Sequence, residues 1–148
     1  MRRNIVLLFL SVFVFSGLYA QADVVNWSFS LSDKGNGEIE LVAKAAIQKG
    51  WHLYDVKVPE KIKGAKAIGS FKSVNSKLIT AYDPGFMMEV GFYAGQATFV
   101  QRFKVTDKAA FVLSGDVRAQ ACNDEQCTPP LPTEFSFSSK NLPPTLSV

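Results

Sequence analysis

From Val25 onward the apolar residues of this 148-residue chain recur at almost every second position. In VVNWSFSL, Val25, Trp27, Phe29 and Leu31 alternate with Asn26, Ser28 and Ser30. A strand is the regular structure whose successive side chains point to opposite faces, so this is the pattern of a half-buried strand. SDKGNG (32–37) is a cluster of turn residues, and EIELVAKAAI then sets Ile39, Leu41, Ala43 and Ala45 on one face. Its alanines would suit a helix, but the alternation and the β-branched neighbours favour a strand. GWHLYDVKVPE reads as an extended piece stopped by Pro59, KIKGAKAIG as loop or edge, and SFKSV and KLITAY as short strands. After a turn at Asp83-Pro84-Gly85, ATFVQRFKV and AAFVLSGDVRAQA read as longer strands, and EFSFSS closes the series. Eight or nine strands spaced by about ten residues, with no amphipathic helix, predict an all-β antiparallel sandwich. They argue against enzymes built on β-α-β crossovers.

The segment before this pattern is different. MRRNIVLLFLSVFVFSGLYAQA has two arginines, an apolar run from Ile5 to Phe15 broken by Ser11, and then small and polar residues. This is the layout of a secretory signal peptide, with cuts possible after Ala20 or Ala22. The apolar run is shorter than the roughly 20 residues that span a bilayer. Residues 1–22 are therefore expected to be removed, without a lipid anchor because no cysteine adjoins the cut. The expected location is the bacterial periplasm, with secretion as the alternative. What remains has the size of one domain, residues 23–140, followed by a loose tail, 141–148. Loss of Arg2 and Arg3 brings the formal charge from +3 to +1. The lysines are scattered without a basic stripe, which disfavours nucleic acid. With no second long apolar run, a soluble monomer with no membrane contact in the mature chain is expected.

Two cysteines are present, Cys122 and Cys127, in ACNDEQCTPP. A structural zinc site needs about four nitrogen or sulfur ligands, and the chain adds one histidine, His52, so neither metal nor other cofactor is expected. A structural disulfide is plausible in an exported protein. Closing so short a loop nevertheless stabilises less than closing a long one, roughly 2 against nearly 5 kcal/mol. Thiol–disulfide exchange, by contrast, requires a second sulfur close enough to resolve a mixed disulfide. Spacing leaves both roles open. Asp124 and Glu125 between the cysteines disfavour a thiolate, so activation is expected to come from a docked partner. His52 is out of phase with Trp51 and Leu53 and is not expected at the sulfurs.

Three stretches resemble a known family, the immunoglobulin-like N-terminal domain of the thiol:disulfide interchange protein DsbD. GWHLYD (50–55) is similar to the family's Gly-aromatic-x-x-Tyr strand. EVGFYAGQATFVQRF (89–103) is similar to its Phe-Tyr loop and the strand after it, and ACNDEQCTPP resembles its cysteine loop. The resemblance implies an exported relay, a component of protein-disulfide reduction, that passes electrons between a thioredoxin-like donor and periplasmic disulfide partners. It implies that Cys127 forms the mixed disulfide and Cys122 resolves it, that Phe92 and Tyr93 cap the pair, and that Tyr54 lines the site. Adjacent aromatics in a strand face opposite ways, so Phe92 and Tyr93 cannot both fill one core layer. The chain departs from the family in having four rather than five residues between its cysteines, flanked at Cys127 by Gln126 and Thr128. Val90 and Gly91 replace acidic residues before Phe92, leaving Glu89 as the nearest carboxylate. The alternative reading is a secreted β-sandwich binding module whose disulfide is inert.

Overall fold

A computed structural model of the chain describes residues 23–58, 60–130 and 132–148. The expected signal peptide lies outside the described residues. The strands are β1 (Val25–Gly35), β2 (Glu38–Ile47), β3 (His52–Lys57), β4 (Glu60–Lys63), β5 (Ala65–Val74), β6 (Ile79–Asp83), β7 (Met88–Phe92), β8 (Gln96–Val105), β9 (Val112–Cys122) and β10 (Pro132–Ser138). Among the described residues, the helical structure is a single 3-10 turn at Ser139–Asn141. One sheet has the order β1-β2-β8-β5; the second has the order β10-β9-β3, with β4 also pairing β9. β6 and β7 form a separate two-stranded ribbon. All the pairings are antiparallel, as the alternation predicts.

Period two is strictest where a strand faces the core and fades at the edge. In β2, Ile39, Leu41, Ala43, Ala45 and Ile47 are all buried, and the residues between them are not. KIKGAKAIG, read as loop or edge, is strand on both sides of Gly64, forming β4 and the start of β5. Gly64 has φ +71°, and a Cβ there would fall 2.6 Å from the Asp107 carbonyl oxygen. The alternation is lost in β5 because this edge strand is mostly exposed and covers little core. Lysines such as Lys66 and Lys72 on an edge also discourage pairing with another chain. β5 shifts register between Ile68 and Lys72. The buried amide of Gln101 donates to the Gly69 carbonyl at 2.9 Å, supplying a partner beside the irregularity.

The core divides into two clusters. One gathers Ile39, Leu41, Phe103, Val105, Phe111, Leu113, Val117 and Phe135 from both sheets. The other contains Ala43, Ala45, Ile47, Leu53, Ala97 and Phe99. Here the register sets Phe29 and Phe99 on either side of Ala43, and Trp27 and Ala97 on either side of Ala45. The small residues leave room for large rings to lean together, with Trp27 and Phe99 centroids 5.9 Å apart. This half of the core reaches the cysteines, since Leu53 pairs with Ala121, the residue before Cys122.

Residues 141–148, expected from their composition to hang loose, are docked. Leu146 is 2% exposed within the first core cluster, and Leu142 packs against the same cluster. Thr145 Oγ1 donates to Asp33 Oδ2 at 2.6 Å, and Lys108 Nζ donates to the Leu146 carbonyl. Composition alone could not show this, because one buried leucine among prolines and polar residues has no periodicity. Leu146→Ala should therefore cost about 2 to 5 kcal/mol, as a buried leucine does. Urea unfolding measures it, and a loose tail would leave the midpoint unchanged.

Candidate redox site

Cys122 and Cys127 are joined by a disulfide at one end of the second sheet. β9 ends at Cys122, and the chain turns back so that Cys127 stands opposite Cys122 in an antiparallel bridge, Cα to Cα 4.0 Å. The backbone closes this miniature hairpin on both sides of the sulfurs. Asn123 N–H donates to the Gln126 carbonyl at 2.9 Å, and Thr128 N–H donates to the Ala121 carbonyl at 2.7 Å. The side chain of Asn123 forms the turn, its Oδ1 accepting from the N–H groups of Glu125 and Gln126 at 2.9 and 2.8 Å. Thr128 Oγ1 adds a bond from the Ala121 N–H at 3.2 Å. Four intervening residues suit this turn, and the departure in spacing is thereby accommodated. Pro129 and Pro130 lack N–H groups and cannot extend the ladder.

The two sulfur-bearing residues differ in access. Cys127 is exposed, whereas Cys122 is 7% exposed. By alternation Cys122 belongs to the outer face of β9, because its neighbour Ala121 faces the core. Its burial therefore needs a cover. β3 supplies one part: His52 stands directly opposite Cys122, and Tyr54 opposite Gln120, on the same outer face. The β6–β7 ribbon supplies the other. Two backbone bonds, Leu53 N–H to the Tyr93 carbonyl at 2.8 Å and Tyr93 N–H to the Leu53 carbonyl at 3.0 Å, tie the end of the ribbon to β3. Opposed residues share a face, so Tyr93 follows Leu53 inward and Phe92 goes outward.

Phe92 and Tyr93 thus separate. The Phe92 ring stacks on His52, centroids 4.0 Å apart and planes 18° apart, and lies 5.7 Å from Tyr54. The Tyr93 ring packs edge-on against Phe99 at 5.3 Å and joins the core. His52, Tyr54, Phe92 and the cysteine hairpin line an open cleft of about 660 Å³, together with Tyr82, Asp83 and Phe86 of the ribbon. Burial, and then the carboxylates of Asp83 and Asp124, hold the Tyr54 hydroxyl above the usual phenol range. Among the described residues no cluster of His, Cys, Asp and Glu is arranged to hold a metal ion.

Of the residues singled out in the sequence, the cleft unites Cys122, Cys127, Phe92 and Tyr54, and leaves Tyr93 out. His52, set aside for being off the core phase, is brought in for that very reason. The face it shares with Tyr54 is the covered outer face, and the signal was its two-residue offset from Tyr54.

A family model described as "Thiol:disulfide interchange protein DsbD, N-terminal" matches residues 19–139. Among solved structures, the reduced N-terminal domain of Neisseria meningitidis DsbD is similar, with TM-score 0.57 and 19% identity, covering 78% of this chain and 85% of that one. The same domain in complex with the N-terminal domain of N. meningitidis PilB gives TM-score 0.55 and 17% identity, covering 81% and 87%. The N-terminal periplasmic domain of Proteus mirabilis ScsB gives TM-score 0.59 and 12% identity, covering 85% of this chain and 51% of that one. At these identities the structural likeness establishes the fold. No curated protein sequence matches the chain significantly.

The separation of the two aromatics has a measurable consequence. Phe92→Ala should speed reduction of the disulfide by glutathione several-fold, since exchange depends on access to sulfur. Tyr93→Ala should lower the melting temperature, through its lost contact with Phe99, and leave that rate unchanged. Equal rates in both variants would show that Phe92 shields nothing.

Proposed function

The chain belongs to the family of DsbD N-terminal domains, and from that premise we propose that it is a periplasmic dithiol/disulfide relay. It passes electrons between a thioredoxin-like donor and disulfide-bearing partners. The observation that carries this reading is the asymmetry of the disulfide: Cys127 is exposed at the mouth of a cleft, and Cys122 is covered within it. A partner thiolate attacking Cys127 forms the mixed disulfide there and leaves Cys122 as the internal resolving thiol. Phe92 and Tyr54 line the approach. The ribbon beside the cleft exposes apolar surface, with Tyr82 at 64%, Phe86 at 53% and Met87 at 79%. A patch of this kind at the rim of a reactive sulfur supports docking of a protein partner. The complex of the N. meningitidis domain with PilB supports a protein partner as well. The chain acts as a monomer, exported through the leader at residues 1–22.

Cys127→Ser should abolish exchange. Cys122→Ser should form a mixed disulfide with an oxidised thioredoxin-like partner, because the Cys127 thiolate opens the partner's disulfide and no Cys122 thiol remains to complete the transfer. Non-reducing electrophoresis with mass spectrometry identifies the linked cysteine. Full exchange by both single variants would overturn the assignment. A redox titration separates the relay from an inert staple, since structural disulfides sit below about −300 mV and exchanging ones higher.

A further inference from the structure

Attack at Cys127 leaves the bonding electron pair on Cys122 Sγ, so a thiolate must form on the covered side of the cleft. The surroundings oppose it. Asp124 and Glu125 of the hairpin and Asp83 of β6 line the same cleft, and the remaining titratable groups facing it are Tyr54, Tyr82 and Cys127. Among the lining residues, His52 has the single basic side chain. It stands opposite Cys122 in the β3–β9 register, where paired side chains have Cβ atoms about 4.5–5.5 Å apart. Its ring is held by the Phe92 stack and by the Tyr54 ring edge-on at 6.5 Å. A half-buried imidazole that the register sets across from the leaving sulfur's residue can supply both charge and a proton.

We propose that His52 is the residue that makes Cys122 a competent leaving and resolving group, as an imidazolium beside the thiolate and as a neutral imidazole beside the thiol. This rests on the relay reading. During reduction, the partner's thiolate bonds to Cys127 Sγ as the Cys122–Cys127 bond breaks. The electron pair stays on Cys122, which takes the imidazolium proton. The partner's second thiol, deprotonated, then attacks the mixed disulfide; Cys127 leaves as a thiolate and the partner is oxidised by two electrons. During onward transfer, Cys127 is bonded to the acceptor's sulfur; the neutral imidazole accepts the Cys122 proton as Cys122 bonds to Cys127, the Cys127–acceptor bond breaks, and the acceptor leaves as a thiolate, reduced by two electrons. The carboxylates that line the cleft disfavour a lone thiolate, and the charge His52 supplies offsets them.

The test uses the full chain in a Cys127→Ser background, where the ultraviolet absorbance of the thiolate reports Cys122 alone. His52→Gln removes the charge, and His52→Phe removes it while keeping an aromatic ring against Phe92. In both, the Cys122 thiolate fraction at neutral pH should fall about tenfold, equivalent to one unit of thiol pKa. An unchanged fraction in His52→Phe would reduce His52 to packing and overturn the proposal. With both cysteines present, the rate of reduction by dithiothreitol, expressed per thiolate of the reductant, should fall about tenfold in both variants. A rate equal to that of the wild type in His52→Phe also overturns the proposal. A redox titration placing the wild-type disulfide among inert structural ones would instead overturn the relay reading, and this proposal with it. The thiolate titration needs no exchange activity, so the two failures remain distinguishable.

Discussion

Two backbone hydrogen bonds between Leu53 and Tyr93 hold the cleft together, because they decide which side of the sheet each nearby side chain occupies. With Leu53 against the core, Tyr93 goes in and Phe92 goes out. A slip of one residue would exchange the two rings, exposing the disulfide and pressing Phe92 into the place beside Phe99. The same parity, carried through the β3–β9 register, sets His52 against Cys122 and Leu53 against Ala121. One pairing choice thus serves the core and the cleft together. The alanines at positions 43, 45 and 97 make this choice possible by leaving room for Trp27, Phe99 and Tyr93 behind the disulfide.

The cleft combines an apolar cover with acidic walls. Phe92 and Cys122 are buried at the back of the cleft, where a charge is less screened than at its open mouth. Burial, and then Asp83 and Asp124, raise the Tyr54 hydroxyl above its ordinary range. For a resting disulfide this arrangement is harmless, since the disulfide carries no charge. It becomes selective only when a bond breaks and an anion forms. A partner that brings no compensating group leaves the cost of that anion to the chain's own residues.

Most of the fold was legible because sandwich strands bury one face, and a period of two is visible without knowing the partners. β2 and the inner residues of β8 followed the pattern closely. The edge strand β5 did not, since an element with little core contact has no reason to alternate. Leu146 was illegible for a related reason: its burial depends on a surface built by residues distant in sequence. At the site, the cysteines, Phe92 and Tyr54 could be read from motifs. His52 shares its face with Tyr54, but a residue off the core face reads as solvated unless something is known to cover that face. The cover is the β6–β7 ribbon, whose placement depends on a long-range pairing.

The hairpin that carries the cysteines is closed by Asn123, Gln126, Ala121 and Thr128, none of which needs the sulfur–sulfur bond. Cleaving that bond removes none of these hydrogen bonds. Little chain entropy is released on reduction, and little must be recovered on reoxidation. The free-energy difference between the two states is then set by local sulfur chemistry and electrostatics rather than by folding. A carrier built this way can shuttle repeatedly with almost no reorganisation, and its driving force can be tuned by single side chains in the cleft without disturbing the sandwich beneath.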